Sequence, residues 1–231
     1  MYRYETHLHT FPVSKCARAT VRETLTFYKE LGYAGVFVTN HFINGNINID
    51  RSLPYAERIQ FYFSDYEAAK ALEEEIGIQV FPGVELSYKG TDFLVYGLDK
   101  EWYLSHPEIE EISIKALLSL CAEAGGFVVQ AHPFREAAYI DHIRLFPDSV
   151  EAVEVHNAAC KNPIVNAMAK IYAEHYGKIA TAGSDNHLAH GVSALAGLSF
   201  DTKLESIADF IARLREGNFS IFAEDRTQNK Q

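Results

Sequence analysis

The chain has 231 residues, 48% of them hydrophobic and 23% charged, which suits a single globular domain and leaves no case for an intrinsically disordered chain. Its formal net charge of −10 would repel a polyanion, so a nucleic-acid polymer is disfavoured as a partner. No apolar run reaches the roughly 18–20 residues that cross a bilayer, so no membrane association is expected.

The N-terminus, MYRYETHLHTF, lacks a basic stretch followed by an apolar one, and no secretory leader is read from it. Cys16, Cys121 and Cys160 form no CxxC pair and are odd in number, so a disulfide framework is not expected and a reducing cytoplasm is the expected location.

Short apolar runs alternate with longer amphipathic ones along the chain. YETHLH reads as the first strand. A helix follows Thr20, opened by a capping box of Thr20 with Glu23 and carrying Val21, Leu25 and Tyr28 at helical spacing. AGVFVTN is the second strand, and a helix is expected from about Tyr55 to Glu75. IQVFPGVE and DFLVYGL follow as strands, then a helix from Pro107 to Ala124. GFVVQAH and VEAVEVH come next, then a helix from Pro163 to Tyr176, the strand KIATAGS, and a helix from Leu204 to Glu216.

Gly32, Gly77, Gly125, Gly177 and Gly217 stand at helix ends, and the tail from about residue 224, EDRTQNKQ, reads as frayed. Strand–helix alternation predicts a parallel α/β fold in one domain. Seven strand-like runs suffice for a barrel, and an open doubly wound sheet is the alternative. No GxGxxG turn supports dinucleotide binding.

The histidines are placed unevenly. His7 and His9 end the first strand, His41 follows VFVTN, His132 ends VVQA, His156 ends VEV, and His187 follows IATAGS with Asp185. Glu85 follows VFPGV. In a parallel α/β fold the C-terminal ends of strands converge on one face, where sites are built. The spacing of two residues puts His7 and His9 on one face of a strand, where both imidazoles can reach one cation. Asp185 and His187 repeat that arrangement, and the Glu85 carboxylate can bridge two ions. Such a nitrogen and oxygen donor set suits Zn²⁺, Mn²⁺ or Fe²⁺. His156 alone reads better as a hydrogen-bonded structural residue. His106, His142, His175 and His190 fall in helices or loops.

The segments ETHLHT, VTNHF, PGVELS, QAHPF and AGSDNH, in that order between residues 5 and 187, resemble the PHP (polymerase and histidinol phosphatase) superfamily. The resemblance implies a distorted (β/α)7 barrel with two or three divalent ions at the C-terminal strand ends, and hydrolysis of phosphoesters. It implies a first ion at His7, His9, Glu85 and Asp185, a second shared through Glu85 with His132, and a third held by His41 and His187.

Three departures stand out. Ser14-Lys15-Cys16 lies where the family often writes SDG or a histidine. Lys15 replaces the usual aspartate, and Cys16 falls on the alternative ligand position if one residue is inserted. Asp92 stands where the family often has a histidine, and Asn40 replaces the aspartate of its TDH motif.

The resulting expectation is an enzyme, a phosphomonoesterase rather than a nuclease, in which a metal-activated hydroxide attacks the phosphorus of a small phosphorylated substrate. Asp185 or His187 could assist proton transfer. Arg135, Arg18 and Lys15 are the candidate phosphate-binding cations, Arg135 first because a guanidinium fork matches a phosphate. The aromatic and polar stretch from Phe42 to Phe63 reads either as a wall over the site or as ordinary helix packing. Two other functions remain open: an amidohydrolase-like metal hydrolase, since those barrels also begin with HxH, and a non-catalytic module that binds metal and phosphate.

Overall fold

The computed structural model describes residues 1–227. Nine strands form one mixed sheet that curls into a nearly closed barrel, in the order β7-β6-β5-β4-β3-β2-β1-β8-β9. The strands are β1 (Tyr2–Leu8), β2 (Gly35–Val38), β3 (Gln79–Tyr88), β4 (Thr91–Tyr96), β5 (Phe127–Ala131), β6 (Ala152–Asn157), β7 (Ile179–Gly183), β8 (Ala194–Phe200) and β9 (Ser220–Asp225). The helices are α1 (Val21–Glu30), α2 (Tyr55–Ile76), α3 (Lys100–Ser105), α4 (Ile114–Glu123), α5 (Pro163–His175) and α6 (Ile207–Glu216).

The expected capping box opens α1: the Thr20 side chain accepts from the Glu23 amide, and Glu23 accepts from the Thr20 backbone. The expected helix from Pro107 to Ala124 is broken. A 3-10 turn spans Pro107–Glu110, and α4 begins only after Ser113, whose hydroxyl caps the Ala116 amide.

Two features correct the purely parallel reading. β4 runs antiparallel to both β3 and β5. Its connection to β3 is the two-residue turn Lys89-Gly90 with φ of 50° and 79°, the tight hairpin geometry that twists two adjacent strands correctly. Because β4 is reversed, its first residues, including Asp92, lie at the same end as the last residues of β3 and β5. Second, LAGLSF and SIFAED are strands β8 and β9, which the alternation did not announce; the former pairs antiparallel with the start of β1. The tail is therefore ordered further than expected. Glu224 and Asp225 pair with Leu195 and Ala194, and the Arg226 amide donates to Ser193; residues 228–231 of that tail lie outside the described residues.

β1 divides its free edge between two partners. Its first residues pair with β8, and its end meets the chain leaving β7: Leu8 bridges Asn186, and the Asp185 amide donates to the His7 carbonyl at 2.7 Å. This second contact draws the sheet round on itself. It needs glycine at 183, where a Cβ would stand 2.4 Å from the His7 Cβ.

Side-chain layers follow from the period of two along each strand. Tyr4, Phe37, Phe81, Tyr96 and Phe127 pack together at the lower end of the barrel, sealed by Phe210, Ile211 and Leu214 of α6. Two positions further up, apolar gives way to polar: Phe81 leads to Gly83 and Glu85, and Ala152 leads to Glu154. A register shift in β1 between Glu5 and Leu8 lets Tyr4 sit in that lower core and His7 still face the barrel interior, while Leu8 packs outward against α1.

Candidate metal centre

Seven side chains from separate parts of the chain converge above the apolar layer: His7, His9, His41, Glu85, His132, Asp185 and His187. Glu85 is at the centre. Its Oε1 lies 3.1 Å from His7 Nε2 and 3.4 Å from His132 Nε2; its Oε2 lies 3.5 Å from His9 Nε2 and 2.5 Å from His41 Nδ1. Asp185 Oδ1 lies 3.2 Å from His9 Nε2 and 3.6 Å from His7 Nε2. The His9 ring is sandwiched, 4.3 Å from the ring centres of both His41 and His187.

Three overlapping groups have donor atoms within 4.8 Å of one another: His7, His9 and Asp185; His7, Glu85 and His132; and His9, His41 and His187. All but His41 and His187 are buried. His41 Nδ1, Glu85 Oε2 and His132 Nε2 have no hydrogen-bond partner, despite the short approach of the first two. Buried polar atoms are nearly always satisfied, and a cation between lone pairs is what would satisfy these. The donor set of imidazole nitrogens and carboxylate oxygens fits divalent ions.

Charge regulation within the cluster is strong. Burial opposes ionisation of Glu85, but His41 and His9 hold its carboxyl well below the usual range. Burial likewise opposes Asp185, and Arg135 and His7 pull it well below its ordinary value. Burial works against protonated His7, yet Glu154 and Asp185 raise its pKa well above the usual histidine value; Glu85 does the same for His41. His9, buried and flanked by His187 and His41, is pushed the other way and stays neutral.

Two site residues, His132 at φ 27° and Asp185 at φ 53°, sit in the left-handed region that non-glycine residues avoid. Each costs on the order of 1–3 kcal/mol, a conformation tolerated where the surrounding structure holds it.

Around this set lies a ring of supporting groups. Glu154 Oε1 accepts from His7 Nδ1 at 2.9 Å, which leaves His7 Nε2 facing the cluster, and Glu154 Oε2 accepts from the His132 amide and from Asn157 Nδ2. Ser14 Oγ lies 3.1 Å from His9 Nδ1 and donates to Asn40 Oδ1. Asn40 also accepts from the Thr10 amide and donates to Asp65 of α2, so it anchors the loop after β1 and does not face the cluster. Glu154 and Asp65 escaped the sequence reading. Glu154 does leave a trace there, as a carboxylate flanked by Val153 and Val155 in VEAVEVH.

His156 does not join the cluster. β6 shifts register between Glu154 and His156, and Asn157 takes the inward place, its Nδ2 3.4 Å from Asp185 Oδ2. Asp92 does point in, with Oδ2 3.9 Å from His132 Nε2. Cys16 Sγ is 3.1 Å from His41 Nε2. Burial raises its pKa, but hydrogen bonds with His187 and His41 bring it down to about 6. Arg135 forms an ion pair with Asp185. Lys15 and Arg18 are exposed on the loop after β1. The aromatics of 42–63 mainly serve packing: Phe42, Tyr62 and Phe63 are buried between β3, β4 and α3.

Residues 163–219, from α5 through α6, match the PHP_C family model, described as PHP-associated. The fold is shared with a two-domain protein from Bacteroides vulgatus containing a predicted PHP-like metal-dependent phosphoesterase, at 13% identity and a TM-score of 0.68 over 96% of this chain. The chain is thus similar to PHP-associated proteins over residues 163–219 and shares its fold with a PHP-like protein. It spans 64% of that two-domain protein. PsfC from Pseudomonas syringae shares the fold of this chain at 18% identity and a TM-score of 0.61, over 99% of this chain and 93% of its own. An amidohydrolase from Chromobacterium violaceum, solved with bound sulfate and no metal, aligns at 14% identity and a TM-score of 0.58, over 99% of this chain and all of its own (100%). None of the curated protein sequences compared matches the chain. Among the described residues no helix is long and apolar enough to cross a membrane.

Proposed function

We propose that this protein is a member of the PHP superfamily and a metal-dependent phosphoesterase acting on a small phosphate monoester. The observation that carries the reading is the Glu85 carboxylate, buried among four imidazoles, with three converging polar atoms left without hydrogen-bond partners. His7, His9, Asp185 and Glu85 would hold a first ion. Glu85, His132 and the flanking Asp92 would hold a second, with His7 between the two. His41 and His187, beside His9 and Cys16, would hold a third. Bound Zn²⁺, Mn²⁺ or Fe²⁺ would supply acidified water and charge stabilisation for the phosphoryl oxygens.

The chain's own groups have separable duties. Glu154 fixes the His7 tautomer, and Ser14 orients His9. His187, like His41, is partly exposed; its Nδ1 lies 2.8 Å from the Asp185 carbonyl, and it is placed to pass a proton between site and solvent. Asp185 shares that duty only to the extent that ligation leaves an oxygen free. Arg135, paired with Asp185, keeps further guanidinium donors for a phosphate, and Lys15 and Arg18 offer exposed positive charge on the loop after β1. The net charge of −10 favours a small substrate over a polymer, and a cytoplasmic location fits three unpaired thiols.

Substitution separates ligation from substrate binding. His9→Ala is expected to lose metal and activity together. Arg135→Ala should keep its metal while KM rises roughly 10–100-fold, the value of a charge-assisted hydrogen bond of about 1.5–3 kcal/mol. Undiminished activity in His9→Ala would remove the metal mechanism. The fold shared with the C. violaceum amidohydrolase keeps one other reaction in view: turnover of an amide or lactone, with phosphoesters untouched, would redirect the assignment.

A further inference from the structure

A cavity of about 840 Å³ lies between the loop 42–58, the end of β3, the 3-10 turn Pro107–Glu110, the start of α4 and the chain before β6. That volume falls within the roughly 300–1,000 Å³ of small-molecule pockets. Among the described residues its lining includes none of the seven side chains of the metal centre. Phe42, Ile109, Leu117 and Phe146 line it and are themselves buried, so its floor is the edge of the hydrophobic core.

The rim is cationic in a chain whose net charge is −10. Arg51, Arg58, Lys115 and Arg144 line the cavity against one carboxylate, Glu110. Two of these cations are occupied. Arg58 pairs with Glu110 through both terminal guanidinium nitrogens; Arg144 pairs with Asp141 and also donates to the Lys89 carbonyl. These bonds, with the two between Asn44 and the Ser87 backbone, hold the walls in place. Arg51 spends one nitrogen on the Gly45 carbonyl, and neither it nor the exposed Lys115 has a carboxylate partner among the described residues. The first turn of α4, which meets the same space, carries no acidic side chain.

We propose that this cavity is a second binding site, for a small organic acid whose apolar body covers the floor and whose anionic head pairs with Arg51 and Lys115. Burial of the body supplies affinity, and the two uncompensated cations select a negative head and orient it. The site adjoins the metal centre without sharing its ligands: Phe42, Ile43 and Asn44 follow His41 directly, and Ser87, in the lining, is hydrogen-bonded to Asp92. The polar residues of the 42–63 stretch, which the metal centre does not use, and the break before α4 both acquire a role here. The inference is independent of which reaction the ions perform.

The test titrates the full chain with anilinonaphthalene sulfonate, an aromatic acid whose fluorescence rises in apolar surroundings, and then challenges the bound probe with decanoate or with decanol. The parent is expected to bind the probe at a single saturable site and to release it to decanoate far more readily than to uncharged decanol. Arg51→Gln and Lys115→Gln should each weaken probe and decanoate roughly 10–100-fold, the loss of one charge-assisted contact. Lys170→Gln, on α5, should match the parent. All three side chains are exposed, so the variants are expected to fold, and an unchanged thermal midpoint checks that. Equal affinity in Arg51→Gln, Lys115→Gln and the parent overturns the proposal. So does a parent that binds no probe, or one from which decanol displaces the probe as well as decanoate does, and that last comparison needs no variant.

Discussion

At the scale of single residues, the chemistry turns on which nitrogen of each histidine faces the cluster, and that is decided by groups behind the ligands. Glu154 holds His7 by Nδ1, and Ser14 stands at His9 Nδ1. Glu154→Ala is therefore expected to weaken ion affinity roughly 10–100-fold although Glu154 touches no ion, as judged by competition with a chromophoric chelator. Unchanged affinity would mean His7 is oriented by packing alone. Protonation adds a second expectation. His7 and His41 are held above the ordinary histidine pKa in the ion-free chain, so both carry protons near neutrality and must give them up to a metal. Affinity should then fall as pH falls, by roughly tenfold per pH unit for each proton displaced. Isothermal titration in buffers of different ionisation enthalpy would count those protons, and an affinity independent of pH from 6 to 8 would contradict the assignment.

The candidate ligands could be found from sequence because each stands beside a run of Val, Ile and Phe, and strand ends gather on one face. Glu154 and Asp65 were hidden for the opposite reason. A carboxylate inside a strand or on a helix reads as a solvated face until the fold shows it buried against His7 or Thr10. His156, read from the sequence as a structural residue, stays outside the cluster because a register shift reverses the alternation at that point, and nothing in VEAVEVH marks the shift.

At the scale of elements, the β3–β4 hairpin decides whether Asp92 belongs to the site. A helical crossover would have made β4 parallel and sent Asp92 to the far end of the barrel. Lys89-Gly90 instead turns the chain in two residues, and Asp92 pairs with Ser87 beside the cluster. Gly90 adopts φ of 79°, and a Cβ there would stand 2.9 Å from Ile140. Gly90→Ala is expected to cost about 1–2 kcal/mol in denaturant unfolding. It should also lower occupancy of the ion position served by Asp92 and His132 while leaving that of His7, His9 and Asp185. A variant as stable as the parent would show that the turn tolerates a side chain. The same turn explains why the sheet was only partly legible: IQVFPGVE and DFLVYGL were both recognised as strands, but their direction depends on the turn between them. β8 and β9 escaped notice because they follow the ligand-bearing strands and pair outside the strand–helix rhythm.

At the scale of the whole molecule, one barrel serves two solvents. Aromatic residues from five strands, sealed by α6, fill the lower interior, and the same strands two residues on carry buried carboxylates and imidazoles. Unpaired, so many ionisable groups would oppose folding. Ions that bind only the folded chain offset that cost by mass action, so the holoprotein should outlast the stripped protein on heating. The overall alternation and the strand-end histidines announced this division. The curling of the sheet did not show in sequence, because it depends on contacts such as Gly183 against His7, more than a hundred residues apart.

The central claim is that these histidines and carboxylates hold ions that hydrolyse a phosphate ester. Phosphate release from a panel of phosphomonoesters, by chelator-stripped protein with and without added Mn²⁺ or Zn²⁺, tests it most directly. The account predicts release that depends on the added ion and disappears in His9→Ala. Equal release with and without ions, or fully loaded protein that releases no phosphate from any ester, would contradict it.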